Sequence, residues 1–318
     1  RYKMEKIYDL IILGGGPASM SAGIYAMQTK LDTLLIEKDE FGGQIATTSS
    51  VSNYLGFQKL SGKELSQKMH EHLKSTGIEI AHEEVTKTIL NQTIKEVFTH
   101  NNVYKAYSVI IGIGTQIRRL GVDNESKYLG HGLSYSSLND RDKFENKNVA
   151  VVGGGNSAIE DAIYLSEKAS MVYLIHRRNE FRADPKLVDE LHNIIEKEHK
   201  IELCLECKPK SIEGENVEKF NLTFIPTNET KTLEVSGIFV AIGRGANTDI
   251  IDENVLRDES GYIVTNEKME TNVGGVYAVG DIRNTPLRQI VTETSDGAIA
   301  SITALNYVKN IKKMENER

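Results

Sequence analysis

Glycines at positions 14 and 16, with Ser19 behind them, join an apolar run at residues 8–13 to a helical pattern that continues to residue 27. Glycine at the first position permits a tight turn, and glycine at the second lets the backbone approach a pyrophosphate. The helix opened by Pro17 and Ala18 offers free N–H groups and the positive end of its dipole to that phosphate. A second apolar run, residues 33–36, ends at Glu37. A carboxylate placed about 20 residues after such a turn can accept from both hydroxyls of a ribose. A glycine turn also occurs for structural reasons alone, and Ser19 stands where glycine or alanine is usual. The preceding strand, the following helix and the acid favour a dinucleotide site.

The pattern recurs. Residues 149–152 lead into Gly153, Gly155 and Ala158, and Asn156 and Ser157 open a helical pattern to residue 165. The second strand of this copy, residues 172–175, ends at His176-Arg177-Arg178, with Arg182 close behind. Guanidinium forks bind phosphate through paired, charge-assisted hydrogen bonds. Arginines where a ribose-binding acid would stand suit a 2′-phosphate, so NADPH is the expected ligand. The plainer alternative is a solvated basic turn.

Both copies are strand–turn–helix–strand units, the core of a Rossmann half. Residues 78–81, 93–98, 103–111, 201–205, 220–224 and 232–239 alternate like strands that complete each domain. A helical pattern at 296–307 precedes a charged tail. The fold expected is α/β, with two Rossmann-like, three-layer ββα nucleotide-binding domains. The second is inserted in the first, crossing near 117–121 and 244–247. The bounds are 1–118 and 246–318 for one domain and 119–245 for the other.

The chain has 318 residues, of which 26% are charged and 39% hydrophobic, enough for two cores. A net charge of -7 without a basic stripe argues against nucleic acid. No apolar run approaches the roughly 20 residues of a membrane span. The first residues are polar and lead into a strand, so no signal peptide is expected. The only cysteines, Cys204 and Cys207, cannot make a disulfide framework, and a reducing cytoplasm is the natural setting. On one strand their i, i+3 spacing would point them to opposite faces, which suits structure better than redox work. A zinc site would need two more ligands, and the histidines supply no pair at ligand spacing, so no metal is expected.

With these residues in view, the chain resembles the low-molecular-weight thioredoxin reductases from residue 8 to about 307. Phe41-Gly42-Gly43-Gln44-Ile45 and Asn53-Tyr54-Leu55-Gly56-Phe57 look like that family's flavin-contact loops. Residues 176–183 look like its NADPH clamp, and residues 275–281 and 286–291 like its closing FAD motifs. The resemblance implies FAD and NADPH as cofactors, and a homodimer. It implies an FAD set of Gly14, Gly16, Pro17, Ala18, Glu37, Gly42, Gln44, Asn53, Val85, Gly114, Gly280, Asp281, Arg288, Gln289 and Ile290. Within it Asp281 would bind the ribityl chain, and Arg288-Gln289-Ile290 would lie near the ring, where a helix N-terminus favours negative charge. The implied NADPH set is Gly153, Gly155, Asn156, Ser157, His176, Arg177, Arg178 and Arg182.

The family's redox Cys-x-x-Cys would fall at Ser136 and Asn139, in the stretch Ser134-Tyr135-Ser136-Ser137-Leu138-Asn139-Asp140-Arg141. A hydroxyl and an amide cannot cycle two electrons as a disulfide does. Asp140 stands where the family places its proton donor. It reads either as a general acid or as a carboxylate that caps the loop. Ser136, Asn139 and Asp140 are the candidate catalytic positions. Arg141 and Lys143 add positive charge that would favour an acidic protein acceptor or an anionic small molecule. The expected function is an NADPH-dependent flavoprotein oxidoreductase passing electrons to a non-thiol acceptor, such as ferredoxin or flavodoxin, a quinone, iron or oxygen. Reductases of this type acting on ferredoxin commonly carry a longer C-terminal extension than the residues after 307 supply. Two alternatives stay open: a disulfide reductase using Cys204/Cys207 or a partner's thiols, and a non-catalytic nucleotide-binding redox sensor.

Overall fold

Residues 7–13 are buried at every position but the first, as in a parallel strand covered on both faces. They form β1 (Ile7–Leu13), followed by α1 (Pro17–Gln28) and β2 (Thr33–Ile36). This computed structural model describes residues 6–48, 50–135 and 141–317. β1 and β2 run parallel, from Leu10 opposite Thr33 to Leu13 opposite Ile36. Next come α2 (Gly62–Ser75), β3 (Glu79–Ala81), β4 (Val85–Ile89), β5 (Lys95–Thr99) and β6 (Val103–Ile111). The strand order is β3-β2-β1-β6-β5-β4. The nine residues of β6 serve two partners. Its first half pairs antiparallel with β5, and Val109–Ile111 pairs parallel with the late strand β17 (Val276–Ala278).

The chain crosses at β7 (Thr115–Ile117) and returns at β16 (Arg244–Ala246), and these two strands pair with each other. Between them lie α3 (Glu125–Tyr128), β8 (Leu133–Ser134), β9 (Asn148–Val152), α4 (Asn156–Ser166), β10 (Met171–Ile175) and α5 (Pro185–Glu198). Five more strands follow: β11 (Ile201–Cys204), β12 (Cys207–Glu213), β13 (Lys219–Phe224), β14 (Thr230–Glu234) and β15 (Gly237–Val240). A parallel sheet has the order β11-β10-β9-β15-β8, and β12-β13-β14 form an antiparallel sheet. The run at 232–239 thus divides between two sheets. It breaks at Val235 and Ser236, whose N–H groups turn to Glu218 O and Asn148 O.

The chain closes with α6 (Ile290–Asn316), which begins and ends beyond the 296–307 pattern. Gln289 and Thr292 form a reciprocal cap that starts it early. α6 crosses α1 so closely that a Cβ on Gly297 would stand 2.1 Å from Ala18 O. By contact the structure divides into Arg1–Gln116 with Gly245–Arg318, and Ile117–Arg244. The architecture is α/β, two Rossmann-like folds each opened by a glycine turn. Among the described residues no helix is long and apolar enough to cross a membrane.

Candidate functional site

In the first unit, the turn after β1 is set by Gly14 at φ +100°, where a Cβ would meet Gly112 O at 2.5 Å. Gly16 caps α1 with extended backbone, and a Cβ there would meet nothing within 4 Å. α1 starts with Pro17 and has no side-chain cap and no acid in its first turn. Its first N–H groups and its positive end are left for an anion. Glu37 accepts from Gly15 N at 2.5 Å and from Asp39 N at 2.8 Å, which fixes its carboxylate beside the turn.

Several of the other flavin-set residues are tied by hydrogen bonds to this turn or to one another. Gly42, at φ +117°, donates its N–H to Gly15 O. Ser66 fills the space under it, since a Cβ on Gly42 would lie 2.2 Å from Ser66 Oγ. Gln44 donates to Asp281 Oδ2 at 3.2 Å and to Thr115 Oγ1 at 2.9 Å. Asn53 donates to Gln289 Oε1 at 3.0 Å. Gly114 is left-handed with open space over its Cα, and Gly280 N donates to Asp296 Oδ2. Ile290 is the first residue of α6. Two of the set stand apart. Val85 opens β4 and packs on the core, and the Arg288 guanidinium lies over the Tyr262 ring at 4.2 Å. An open cradle at Gly16 before an uncapped helix fits the diphosphate of FAD.

In the second unit, Gly153 has a Cβ position 2.4 Å from Ala241 O, and Gly155 caps α4 with no side-chain cap and no acid in the first turn. The arginine loop folds back onto this turn. Arg182 donates its N–H to Gly154 O at 2.8 Å, and Asp184 N donates to Asn156 Oδ1 at 2.8 Å. A cavity of about 550 Å³ opens here, lined by Gly153, Gly155, Asn156, Ser157, His176, Arg177 and Arg182. Arg118, Arg119 and Lys208 also line it, making five cations with no carboxylate among the lining residues. That charge fits a dinucleotide carrying an extra phosphate.

Two members of the expected set are placed differently. Arg178 is not among the lining residues, and its carbonyl accepts from Glu206 N. His176 is only 4% exposed; its Nε2–H donates to Glu180 O at 3.1 Å, and its ring packs under Gly154. Burial, then the nearby arginines, lower its pKa, so the ring is neutral and shapes the loop. Sequence reasoning missed Arg118, Arg119 and Lys208. They lie far from either glycine turn along the chain, and only the fold returns them to it.

Cys204 and Cys207 do not share a strand as expected. Cys204 ends β11, Cys207 opens β12, and the turn between them holds Glu206 at φ +55°. Both are free thiols and at most 4% exposed, and burial raises both pKa values. Thiols kept protonated are poor nucleophiles. Arg141 is a correction to the docking expectation. Its side chain is 13% exposed, bonded to Glu167 at 2.7 Å and stacked on Tyr164, so its charge is already used. The candidate catalytic positions Ser136, Asn139 and Asp140 lie outside the described residues.

Comparison with known proteins identifies the family. Residues 8–300 match the model of the pyridine nucleotide-disulphide oxidoreductase family. The chain is 39% identical over 311 residues to a thioredoxin reductase of Bacillus subtilis (strain 168), covering 97% of each. It is 37% identical over 308 residues to a 34.2 kDa protein in the rubredoxin operon of Clostridium pasteurianum, covering 96% of this chain and 99% of that one. It superposes on the crystal structure of Lactococcus lactis thioredoxin reductase in its FR conformation with a TM-score of 0.75 and 34% identity. That match covers 95% of this chain and 99% of the other. The chain belongs to the pyridine nucleotide-disulphide oxidoreductases as a thioredoxin reductase-like flavoprotein enzyme, of a kind that uses FAD and NADPH.

Proposed function

We propose that the protein oxidises NADPH and delivers the electrons to an acceptor that is not a disulfide. The observation that carries this reading is the state of its thiols. The only two cysteines are buried in the second unit, where burial favours their protonated form, while Ser136 and Asn139 stand where the resemblance would put the family's redox cysteines. Bound FAD would supply the two-electron store between NADPH and the acceptor. The chain's own groups do the rest. The turn at Gly14–Gly16 with the free end of α1 would hold the diphosphate, and Glu37 the adenosine ribose. Gln44 and Asn53 hold Asp281 and Gln289 in place through direct hydrogen bonds. In the second unit, Arg177 and Arg182 would take the 2′-phosphate, with Arg118, Arg119 and Lys208 adding charge for the remaining phosphates. Asp140 is a proton donor for the reduced acceptor in this scheme. The Clostridium pasteurianum relative, described as a protein in a rubredoxin operon, fits a small electron-carrier protein as acceptor.

The test is a thioredoxin assay on the intact enzyme and on Cys204→Ala/Cys207→Ala. Alanine avoids burying an unsatisfied hydroxyl. Neither protein should reduce thioredoxin with NADPH, and both should be bleached by NADPH at rates within about twofold, since no electron passes through the buried pair. Robust thioredoxin reduction that survives the double change overturns the reading. Reduction that disappears with it replaces the reading by a relocated thiol relay.

A further inference from the structure

The first turn of α1 has a neighbour that the family resemblance does not call for. Glu293, one turn into α6, sends its side chain against the same wall. A Cβ on Gly280 would stand 3.1 Å from Ala18 Cβ, 3.5 Å from Glu293 Cγ and 3.8 Å from Glu293 Oε2. The carboxyl therefore lies beside the Gly280 turn, which itself packs on Ala18 in the first turn of α1.

Its place in the first turn of α6 favours an anion, but burial and the neighbouring carboxylates oppose one. α1 and the turn at 280–282 pack on α6, and Ile290 at its start joins the apolar cluster of Ile45, Val51 and Leu65, which brings no charge. α1 brings no charge in its first turn, and the 280–282 turn brings Asp281. α6 itself brings Asp296. Arg283 is engaged with Asp296 at 3.2 Å, both side chains being nearly buried, and the Arg288 guanidinium donates to Arg283 O and lies over the Tyr262 ring. Gln44, which donates to Asp281, is neutral. A cofactor diphosphate at the α1 N-terminus would add two more negative charges beside them.

We infer that Glu293 is a cofactor-positioning residue: as a neutral carboxylic acid it donates a hydrogen bond towards the diphosphate of FAD, so that the cofactor and this proton bind together. The inference rests on the reading of the Gly14–Gly16 turn as the FAD site. Burial, then Asp281 and Asp296, push the Glu293 carboxyl up to about 8, against 4.5 ordinarily. The bound diphosphate would push it higher still. Well below pH 8 the acid form is already present, and FAD binds at full strength with no proton exchanged. Above that pH the free protein has lost the proton and must recover it on binding. Affinity then falls as pH rises, by up to about tenfold per pH unit.

The experiment is calorimetric titration of the flavin-free protein with FAD, in two buffers of different ionisation heat, at pH 6.5 and pH 9. The expected result for the unmutated protein is no proton uptake at pH 6.5, with uptake approaching one proton per FAD and about tenfold weaker binding at pH 9. Glu293→Gln keeps a hydrogen-bond donor without a titrating proton. It should bind FAD at pH 6.5 within about threefold of the unmutated protein, and show neither the uptake nor the loss of affinity. Absence of proton uptake by the unmutated protein at pH 9 overturns the inference. So does uptake that persists in Glu293→Gln. The first measurement needs no variant, so a misfolded Glu293→Gln leaves the question decidable. Failure of FAD to bind at pH 6.5 at all would instead remove the assignment of the FAD site.

Discussion

Replacing Gly14 with alanine should give a protein that carries no flavin and unfolds well below the parent. The added Cβ would stand 2.5 Å from Gly112 O, at a residue held at φ +100°. Neither neighbour can yield cheaply. Gly14 N donates to Ile36 O, and Gly112 N donates to Leu13 O, each at 2.8 Å, so the turn is tied to β2 and to the end of β6. Strained backbone and the clash together cost about 3 kcal/mol, a large share of a domain's stability. Gly16→Ala should behave differently. Its φ is −74°, and the new methyl would meet no protein atom within 4 Å. The melting temperature should hardly move, yet FAD affinity should drop at least about tenfold, because the methyl occupies the space of the phosphate. Thermal melts and flavin content measured side by side check both. Gly16→Ala with full flavin content would contradict the placement of the diphosphate.

NADPH should be used at least about tenfold more efficiently than NADH, a difference of about 1.4 kcal/mol. A charge-assisted hydrogen bond contributes about 1.5–3 kcal/mol, but Arg177 and Arg182 are exposed, and solvent screening reduces that. Arg177→Ala with Arg182→Ala should erase most of the preference through a higher KM for NADPH, with NADH kinetics unchanged. Arg178→Ala should do less, because Arg178 does not line the cavity. The preference should also shrink with added salt. Steady-state kcat/KM for both nucleotides decides it, and equal efficiency in the unmutated protein would sink the 2′-phosphate assignment.

Both glycine turns were legible from sequence because each condenses strand, turn and helix into a few adjacent residues. Local spacing also located β1, β2, β9 and β10. The helices α2 and α5 are easier to overlook, although each carries a start signal. Ser61 and Glu64 form a capping box before α2, and Asp184 caps α5 ahead of Pro185. The start of α6 was set by the Gln289–Thr292 cap rather than by apolar spacing. The division of residues 232–239 between two sheets depends on pairings with Asn148 and Glu218, which no local window contains. The same limit hid the cationic wall of the second cavity. Arg118, Arg119 and Lys208 reach Arg177 through the fold alone. The carboxylates at 293 and 296 did leave a trace. Asp296 opens the buried stripe Asp296, Gly297, Ala300, Ser301, Ala304 and Val308, and Glu293 lies one turn before it. Arg141 went the other way. A surface charge in sequence became a neutralised, stacked side chain, because Glu167 and Tyr164 approach it from α4 and its C-terminal end.

The most direct test of electron delivery without thiols is rapid mixing under anaerobic conditions. The protein is reduced with NADPH until the flavin absorbance is bleached, then mixed separately with oxidised thioredoxin, ferredoxin, flavodoxin, rubredoxin, a quinone, ferric iron and oxygen. The expected result is bleaching by NADPH, then return of the flavin absorbance with at least one non-thiol acceptor and none with thioredoxin. Return driven by thioredoxin, or by none of these acceptors, would contradict it.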